Sequence, residues 1–135
     1  RYADCLVRLP MFYELEEKDV EFRNAPNGFP GLETSLAVIL TDLYHTKIFD
    51  LKTIIQKMSC EPAKLFGIPG GTLKVGSVAD VAIIDLDKEW TINQDNFYSK
   101  CHLSPYNGKT CRGKAVATIL AGNFVMKEGK VIHHA

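Results

Sequence analysis

The hydrophobic residues change their spacing near Gly70. Before this point they recur every three or four positions, which is typical of helices with one buried face. The spacing predicts a helix that begins after Thr34, with Thr34 as its N-cap. Its apolar stripe, which we expect to belong to a core rather than to a binding site, consists of Leu36, Ile39, Leu40 and Leu43.

Two further helices are predicted before residue 70. The second covers residues 51–58, with Asp50 as its N-cap, and the third covers residues 62–66. Pro62 suits the first turn of the third helix, and Gly67 suits a left-handed C-cap. The buried stripe of the second helix is expected to consist of Leu51, Ile54, Ile55 and Met58.

After Gly70 the apolar residues alternate or form short continuous runs, which indicates β-strands. Glycine-containing turns are predicted at residues 121–123 and 127–130, and a long loop is predicted over residues 93–114. The predicted strands are residues 78–86, 90–92, 116–120, 124–126 and 131–132. The fold class is therefore α+β, with helices in residues 1–70 and a β-rich part in residues 71–135.

Composition excludes several classes of partner. Sixteen basic and sixteen acidic side chains cancel, so no nucleic-acid partner is expected. The longest apolar run, residues 36–40, is far shorter than the roughly 20 residues of a membrane span. We therefore expect a cytoplasmic protein without membrane association. No C-x-x-C spacing occurs, which predicts reduced thiols at Cys5, Cys60, Cys101 and Cys111.

Few side chains suggest chemistry on their own. His45 follows a predicted helix, where its ring can meet the last carbonyls. The other candidates are interpreted as structural or solvated groups rather than ligands or catalysts: His102, His133, His134, Glu16, Glu17 and Asp19. No nucleophile elbow, phosphate-binding loop or H-x-H pair is present.

Residues 23–34, with the sequence RNAPNGFPGLET, form the most distinctive segment. Pro26 and Pro30 fix φ and remove a donor, whereas Gly28 and Gly31 permit positive φ. The segment is predicted to be a rigid loop whose main chain can approach a ligand closely. A rigid connector without a ligand is the alternative interpretation.

This loop, GTLKVGSVADVAIID at residues 71–85 and SPYNGKTCRGKAVATILAGNFVMKEGKVI at residues 104–132 together resemble the C-terminal part of dihydroorotases. The resemblance implies that residues 1–70 correspond to the end of a (β/α)8 barrel and residues 71–135 to part of a composite β-sandwich. It implies ring closure of carbamoyl aspartate to dihydroorotate in pyrimidine biosynthesis, with zinc in the parent family. The substrate-binding positions that it implies are Ala25, Pro26, Asn27 and Gly28.

The sequence departs from that family where a catalytic aspartate and a substrate-binding histidine are expected, because Leu9 and Tyr13 occupy those positions. Leucine can neither ligate zinc nor transfer a proton, so the chain alone is expected to bind no zinc and to be inactive. Three hypotheses remain open: part of a dihydroorotase, a noncatalytic dihydroorotase-like partner of aspartate carbamoyltransferase, or part of an allantoinase or dihydropyrimidinase relative.

Self-association is a further expectation. Apolar surfaces on the predicted first helix and on the first strand would lack their usual cover in this chain, and such surfaces favour association. The expected surfaces are those of Leu36, Leu40 and Leu43 and of residues 81–86.

Overall fold

The computed structural model of the chain describes residues 20–21, 23–24 and 28–132. Two helical stretches are followed by a four-stranded antiparallel sheet with the strand order β1-β2-β3-β4. This arrangement confirms the α+β fold class. The division into a barrel part, residues 1–70, and a sandwich part, residues 71–135, stays a prediction.

The first helical stretch consists of α1, Ser35–Ile39, and a π-helical turn, Leu40–Tyr44. Thr34 precedes the helix as predicted, but its hydroxyl donates to the carbonyl of Gly31 at 3.4 Å and caps no helical N–H. The predicted side-chain cap is therefore wrong. The buried stripe also differs from the prediction, because Ala37 and Leu40 are buried and the other three predicted positions are half-buried.

The second helical stretch joins two helices that the sequence predicts as separate. Helix α2, Leu51–Ile55, continues through a π-helical turn, Gln56–Cys60, into α3, Glu61–Phe66. Pro62 cannot donate a hydrogen bond, and the ladder shifts to a wider bond from Glu61 N to Gln56 O just before it. A proline therefore lies inside a continuous helical segment. Of the predicted stripe, Ile54 is buried, Leu51 and Met58 are half-buried, and Ile55 is exposed.

Both predicted caps of the second stretch are confirmed. The carboxylate of Asp50 accepts a hydrogen bond from Thr53 N at 2.8 Å. Hydrogen bonding by the side chain of Thr53, and secondly by its main-chain N–H, lowers the pKa of Asp50. At the other end, Gly67 adopts the left-handed conformation, with φ 64° and ψ 27°.

The sheet consists of β1, Val81–Thr91, β2, Thr110–Leu120, β3, Asn123–Lys127, and β4, Lys130–Val131. Strand β1 is continuous where two strands were predicted. Its pairing with β2 does not end between Asp85 and Glu89 but resumes after a shift in register. Strand β2 begins at Thr110, so the prediction of loop for residues 110–114 is wrong. Pairing with the end of β1 decides this, since Thr91 lies opposite Thr110.

The two predicted hairpin turns are confirmed by their backbone angles. Ala121 and Gly122 have φ of 47° and 83°, and Glu128 and Gly129 have φ of 52° and 77°. Two successive positive φ values suit the twist of the flanking strands.

The core lies where α1 packs on β2. Ala37, Ile92 and Cys111 form a buried cluster, and it is surrounded by half-buried aromatic and aliphatic side chains: Val38, Trp90, Phe97 and Tyr106. Cys101 and Cys111 are buried free thiols and Cys60 is an exposed one, as predicted, whereas Cys5 lies outside the described residues.

Leu40, at 0% exposure, occupies the space left by the missing side chain of Gly113. A Cβ at position 113 would lie 2.6 Å from Leu40 Cδ1 and 3.0 Å from Leu40 Cβ. Gly113 also has a φ of 109°, which L side chains rarely adopt. This position thus requires glycine for two separate reasons.

Several large apolar side chains around and after α3 face outward. We call Leu65, Phe66, Ile68, Leu73 and Val75 the apolar flank; Leu65 is 76% exposed, Leu73 81% and Val75 106%. Two apolar surfaces were predicted to be exposed. The prediction is wrong at Leu40, which is buried, and correct on β1 at Ile83, which is exposed.

In the part of the chain that the structure describes, no helix has the length and apolar character needed to cross a membrane.

Gly113→Ala should lower the free energy of unfolding by about 3 kcal/mol, combining about 1–2 from backbone strain and about 1–3 from overpacking against Leu40. Urea denaturation followed by circular dichroism measures the change. Gly122→Ala is the matched control, because Gly122 also has positive φ but a Cβ added there would have nothing within 4 Å. Equal losses in both variants would show that the contact with Leu40 has no energetic consequence.

Candidate functional site

The loop that precedes α1 is described from Gly28 onward. Gly28 has a φ of 93°, a conformation that its lack of a side chain permits. The carbonyl of Gly31 accepts hydrogen bonds from Thr34 N at 3.1 Å and Ser35 N at 2.8 Å, which close the loop into a turn at the start of the helix. Residues 28–34 are called the substrate loop below, because the resemblance implies substrate binding at Gly28 and at the three residues before it.

Three of the four predicted substrate-binding residues, Ala25, Pro26 and Asn27, lie outside the described residues, and only Gly28 is placed. Leu9 and Tyr13 also lie outside them. The roles assigned to these positions therefore stay predictions.

Glu33 connects the substrate loop to a segment that is 65 residues further along the chain. Its Oε2 accepts a hydrogen bond from Tyr98 N at 3.0 Å. Its Oε1 accepts from Ser99 N at 2.9 Å and from Ser99 Oγ at 2.8 Å. Bonds to an ionised carboxylate are stronger than bonds between neutral groups, so this contact fixes the loop firmly.

Aromatic packing adds a second attachment of the same loop. The rings of Phe29 and Tyr106 meet edge to face, with centroids 5.9 Å apart and an interplanar angle of 77°. Thr34, at the end of the loop, is fully buried. The substrate loop is thus attached at both ends to the segment of residues 97–106.

An ion pair ties Lys109, the residue just before β2, to the first helical stretch. Lys109 Nζ lies 2.6 Å from Asp42 Oδ2 and 2.8 Å from Asp42 Oδ1. Hydrogen bonding to Asp42 raises the pKa of Lys109 above 10.5, although desolvation opposes the shift. The pair therefore favours the charged lysine in the folded chain.

His45 lies at the end of the first π-helical turn, as predicted, but its ring partner differs from the prediction. Its Nε2 lies 2.8 Å from the carbonyl of Leu86 on β1, so this nitrogen carries the proton and donates. The expected contact with the last carbonyls of its own helix is wrong, because the acceptor of this bond is a carbonyl of β1. His102 is half-buried, and the remaining candidates, His133, His134, Glu16, Glu17 and Asp19, lie outside the described residues.

No three His, Cys, Asp or Glu side chains come together as metal ligands within residues 28–132 and the few described residues before them. A protein zinc site uses at least three such ligands. The described residues therefore do not fit the zinc that the resemblance implies, and no chemical step through a metal is assigned to them.

Sequence comparison identifies the family. A model of the amidohydrolase family matches residues 29–125. The chain belongs to the amidohydrolase family. Dihydroorotases of Trichlorobacter lovleyi and Bacillus subtilis are 43% and 41% identical to it over 122 and 117 residues. The matches cover 90% and 87% of this chain but only 28% and 27% of those relatives, so the chain spans about a quarter of their length.

Solved amidohydrolase structures share the fold. The L-hydantoinase (dihydropyrimidinase) of Arthrobacter aurescens is 38% identical with a TM-score of 0.80, over 84% of this chain and 26% of that chain. The dihydropyrimidinase of Brevibacillus agri is 24% identical with a TM-score of 0.83, over 89% and 27% of the two chains, which shows the fold alone. The resemblance seen in the sequence is thereby confirmed at the level of the amidohydrolase family.

Sequence reasoning missed the residues that hold the substrate loop. Glu33 belongs to the distinctive segment, yet a carboxylate two residues before a helix suggests a local interaction with that helix. Its partners Tyr98 and Ser99 lie in a stretch without periodicity, for which the sequence predicts only a long loop. Glu33 is the one acidic residue of residues 23–34, and that is the signal that could have identified it.

The Lys109–Asp42 pair predicts a stability loss at high pH. Because the folded-state pKa of Lys109 lies above 10.5, its contribution is complete below about pH 10.5 and is lost as the pH rises through the folded pKa. At pH 8 the wild-type protein should have a higher urea midpoint than Asp42→Asn. The two midpoints should converge once the pH exceeds the folded-state pKa of Lys109. A difference that persists undiminished after Lys109 has titrated would contradict the prediction.

Proposed function

We propose that this chain is the C-terminal part of a dihydroorotase-like amidohydrolase, which interconverts carbamoyl aspartate and dihydroorotate. The observation that carries the proposal is the anchored substrate loop: Glu33 and Phe29 fix it to residues 97–106. It lies in a chain that is 41% to 46% identical to dihydroorotases. A fixed loop with a closely approachable main chain suits a small cyclic amide.

The contribution of this chain to the reaction is substrate binding. Main-chain groups at Ala25, Pro26, Asn27 and Gly28 bind and orient the ring, while the rest of the loop holds them in place. The described residues contain no set of metal ligands, so bond breaking and proton transfer depend on groups elsewhere in the protein. Zinc is the cofactor that we expect there, as in the parent family.

A chimera tests this assignment. Residues 15–135 replace the aligned C-terminal part of Bacillus subtilis dihydroorotase, which keeps its own residues in all preceding positions. We expect hydrolysis of dihydroorotate with kcat/KM reduced by no more than about tenfold, a cost of about 1.4 kcal/mol in transition-state stabilisation. A chimera that folds, retains its metal and has no activity would refute the proposal.

A second candidate, a hydantoinase or dihydropyrimidinase, is favoured by one observation. The Arthrobacter aurescens L-hydantoinase superposes with a TM-score of 0.80 at 38% identity. Assays of the same chimera with hydantoin and dihydrouracil separate the two candidates. Preference for either compound over dihydroorotate, relative to the unaltered parent enzyme, would favour this second function.

The chain alone, residues 1–135, should show no hydrolysis of dihydroorotate, because no group of three metal ligands is present among the described residues and Leu9 cannot transfer a proton. We also expect less than one zinc per chain after dialysis. Spectrophotometric assay with and without added zinc measures the first, and atomic absorption measures the second. Turnover that increases with added zinc would contradict both expectations.

The exposed apolar flank supports a proposal of self-association for the isolated chain. Leu65, Leu73 and Val75 are each more than three-quarters exposed, at 76%, 81% and 106%, and exposed apolar surface favours contact with another surface. Sedimentation at micromolar concentration should show a dimer or larger species, and Leu73→Lys with Val75→Lys should shift it toward monomer. A wild-type monomer would contradict the expectation. Association with aspartate carbamoyltransferase stays a hypothesis.

A further inference from the structure

The carboxylate of Glu33 uses both of its oxygens to hold one short stretch of chain. Oε2 accepts from Tyr98 N at 3.0 Å, and Oε1 accepts from Ser99 N at 2.9 Å and Ser99 Oγ at 2.8 Å. Three donors thus converge on one side chain. A carboxylate with several charge-assisted hydrogen bonds is held in a single orientation, and so is the backbone that carries it.

The direction of this side chain is informative. Glu33 lies two residues before α1, where an acidic group is usually stabilised by the N-terminus of its own helix. Here it reaches instead to residues 65 and 66 positions further along the chain. The interaction therefore fastens two distant loops together and does not serve as a local cap.

Other contacts fix the loop on either side of Glu33 but do not replace it. Thr34 is buried, and the turn closed by the Gly31 carbonyl sets the start of the helix. Phe29 contacts Tyr106 through an edge-to-face ring contact, which leaves Phe29 40% exposed. Glu33 supplies the polar, directional contact between these two points.

We propose that Glu33 is a positioning residue. Through its hydrogen bonds to Tyr98 and Ser99, it holds the substrate loop at the distance and angle that ligand binding requires. This inference rests on the proposed function, because that function supplies the ligand, dihydroorotate or carbamoyl aspartate, that the loop would bind. Main-chain donors act over a narrow range of about 2.7–3.1 Å, so a displaced loop loses binding even if it remains folded. The effect of Glu33 reaches the substrate only through the loop.

The mechanical part of the proposal is tested in the full chain of residues 1–135. Glu33→Ala and the isosteric Glu33→Gln should accelerate amide exchange at Tyr98 and Ser99 and shift the NMR signal of Gly28. We expect at least about tenfold faster exchange for Glu33→Ala, the factor that corresponds to one lost hydrogen bond to a charged group. Glu61→Gln is the control, since Glu61 forms a surface ion pair with Lys57 at 2.9 Å. Unchanged exchange in both Glu33 variants would overturn the inference.

The functional part is tested by kinetics in the complete enzyme of which we propose this chain to be part. Glu33→Ala should raise KM about tenfold and change kcat by less than about twofold, because a misplaced binding loop weakens substrate and transition state alike. A merely structural role would lower the fraction of folded enzyme and hence the apparent kcat, with KM unchanged, and that result would overturn the inference.

Two further variants keep the result decisive. Ser99→Ala removes only the hydroxyl donor and should raise KM in the same direction by a smaller factor, whereas Ser99→Thr keeps the hydroxyl and should restore the wild-type KM. If Glu33→Ala fails to fold, these variants and Glu33→Gln decide the question, and unchanged KM in all of them overturns the inference. A wild-type enzyme without dihydroorotate turnover refutes the proposed function itself, whatever the exchange data show.

Discussion

The contact between Leu40 and Gly113 sets where the helical part lies on the sheet. Leu40 has no solvent exposure and occupies the space that a side chain at position 113 would need. Polar bonds next to it fix the same alignment: Arg112 N donates to Thr41 Oγ1 at 2.9 Å, and Trp90 Nε1 donates to the carbonyl of Gly113 at 3.2 Å. Because protein interiors are closely packed, this contact fixes the position of α1 on β2. It thereby also fixes the point at which the preceding loop joins α1.

The segment between β1 and β2 then completes the support of that loop. Glu33 holds its beginning at Tyr98 and Ser99, and Asp42 holds its end at Lys109. Both anions belong to the first helical stretch or to the loop that precedes it, so the segment is fastened to one side of the molecule. A stretch that has little regular structure of its own is thereby tied to the helical part near both of its ends.

Local chemistry in the sequence was sufficient to predict most of the elements whose stability is local. The cap at Asp50, the left-handed Gly67 and the two hairpin turns depend on neighbouring residues alone, and all of them are confirmed. One local prediction failed, because the hydroxyl of Thr34 donates to the carbonyl of Gly31 and caps no helical N–H. The errors at the start of β2 and in the partners of Glu33 occurred where distant residues decide. Strand β2 starts at Thr110 because β1 pairs with it there, and Glu33 finds its partners 65 residues away. No periodicity within a short window contains such information.

The value of the substrate loop depends on the rest of the fold that surrounds it. A main-chain hydrogen bond to a neutral ligand group contributes only about 0.5–1.5 kcal/mol net, so two of them give at most about 3 kcal/mol. Association itself costs about 4 kcal/mol or more. The loop therefore cannot hold a small cyclic amide by itself, however rigidly Glu33 fastens it. Rigidity becomes useful when other groups also desolvate and hold the ligand. Their contacts then offset the free-energy cost of association, so each well-placed donor of the loop adds its full contribution to binding.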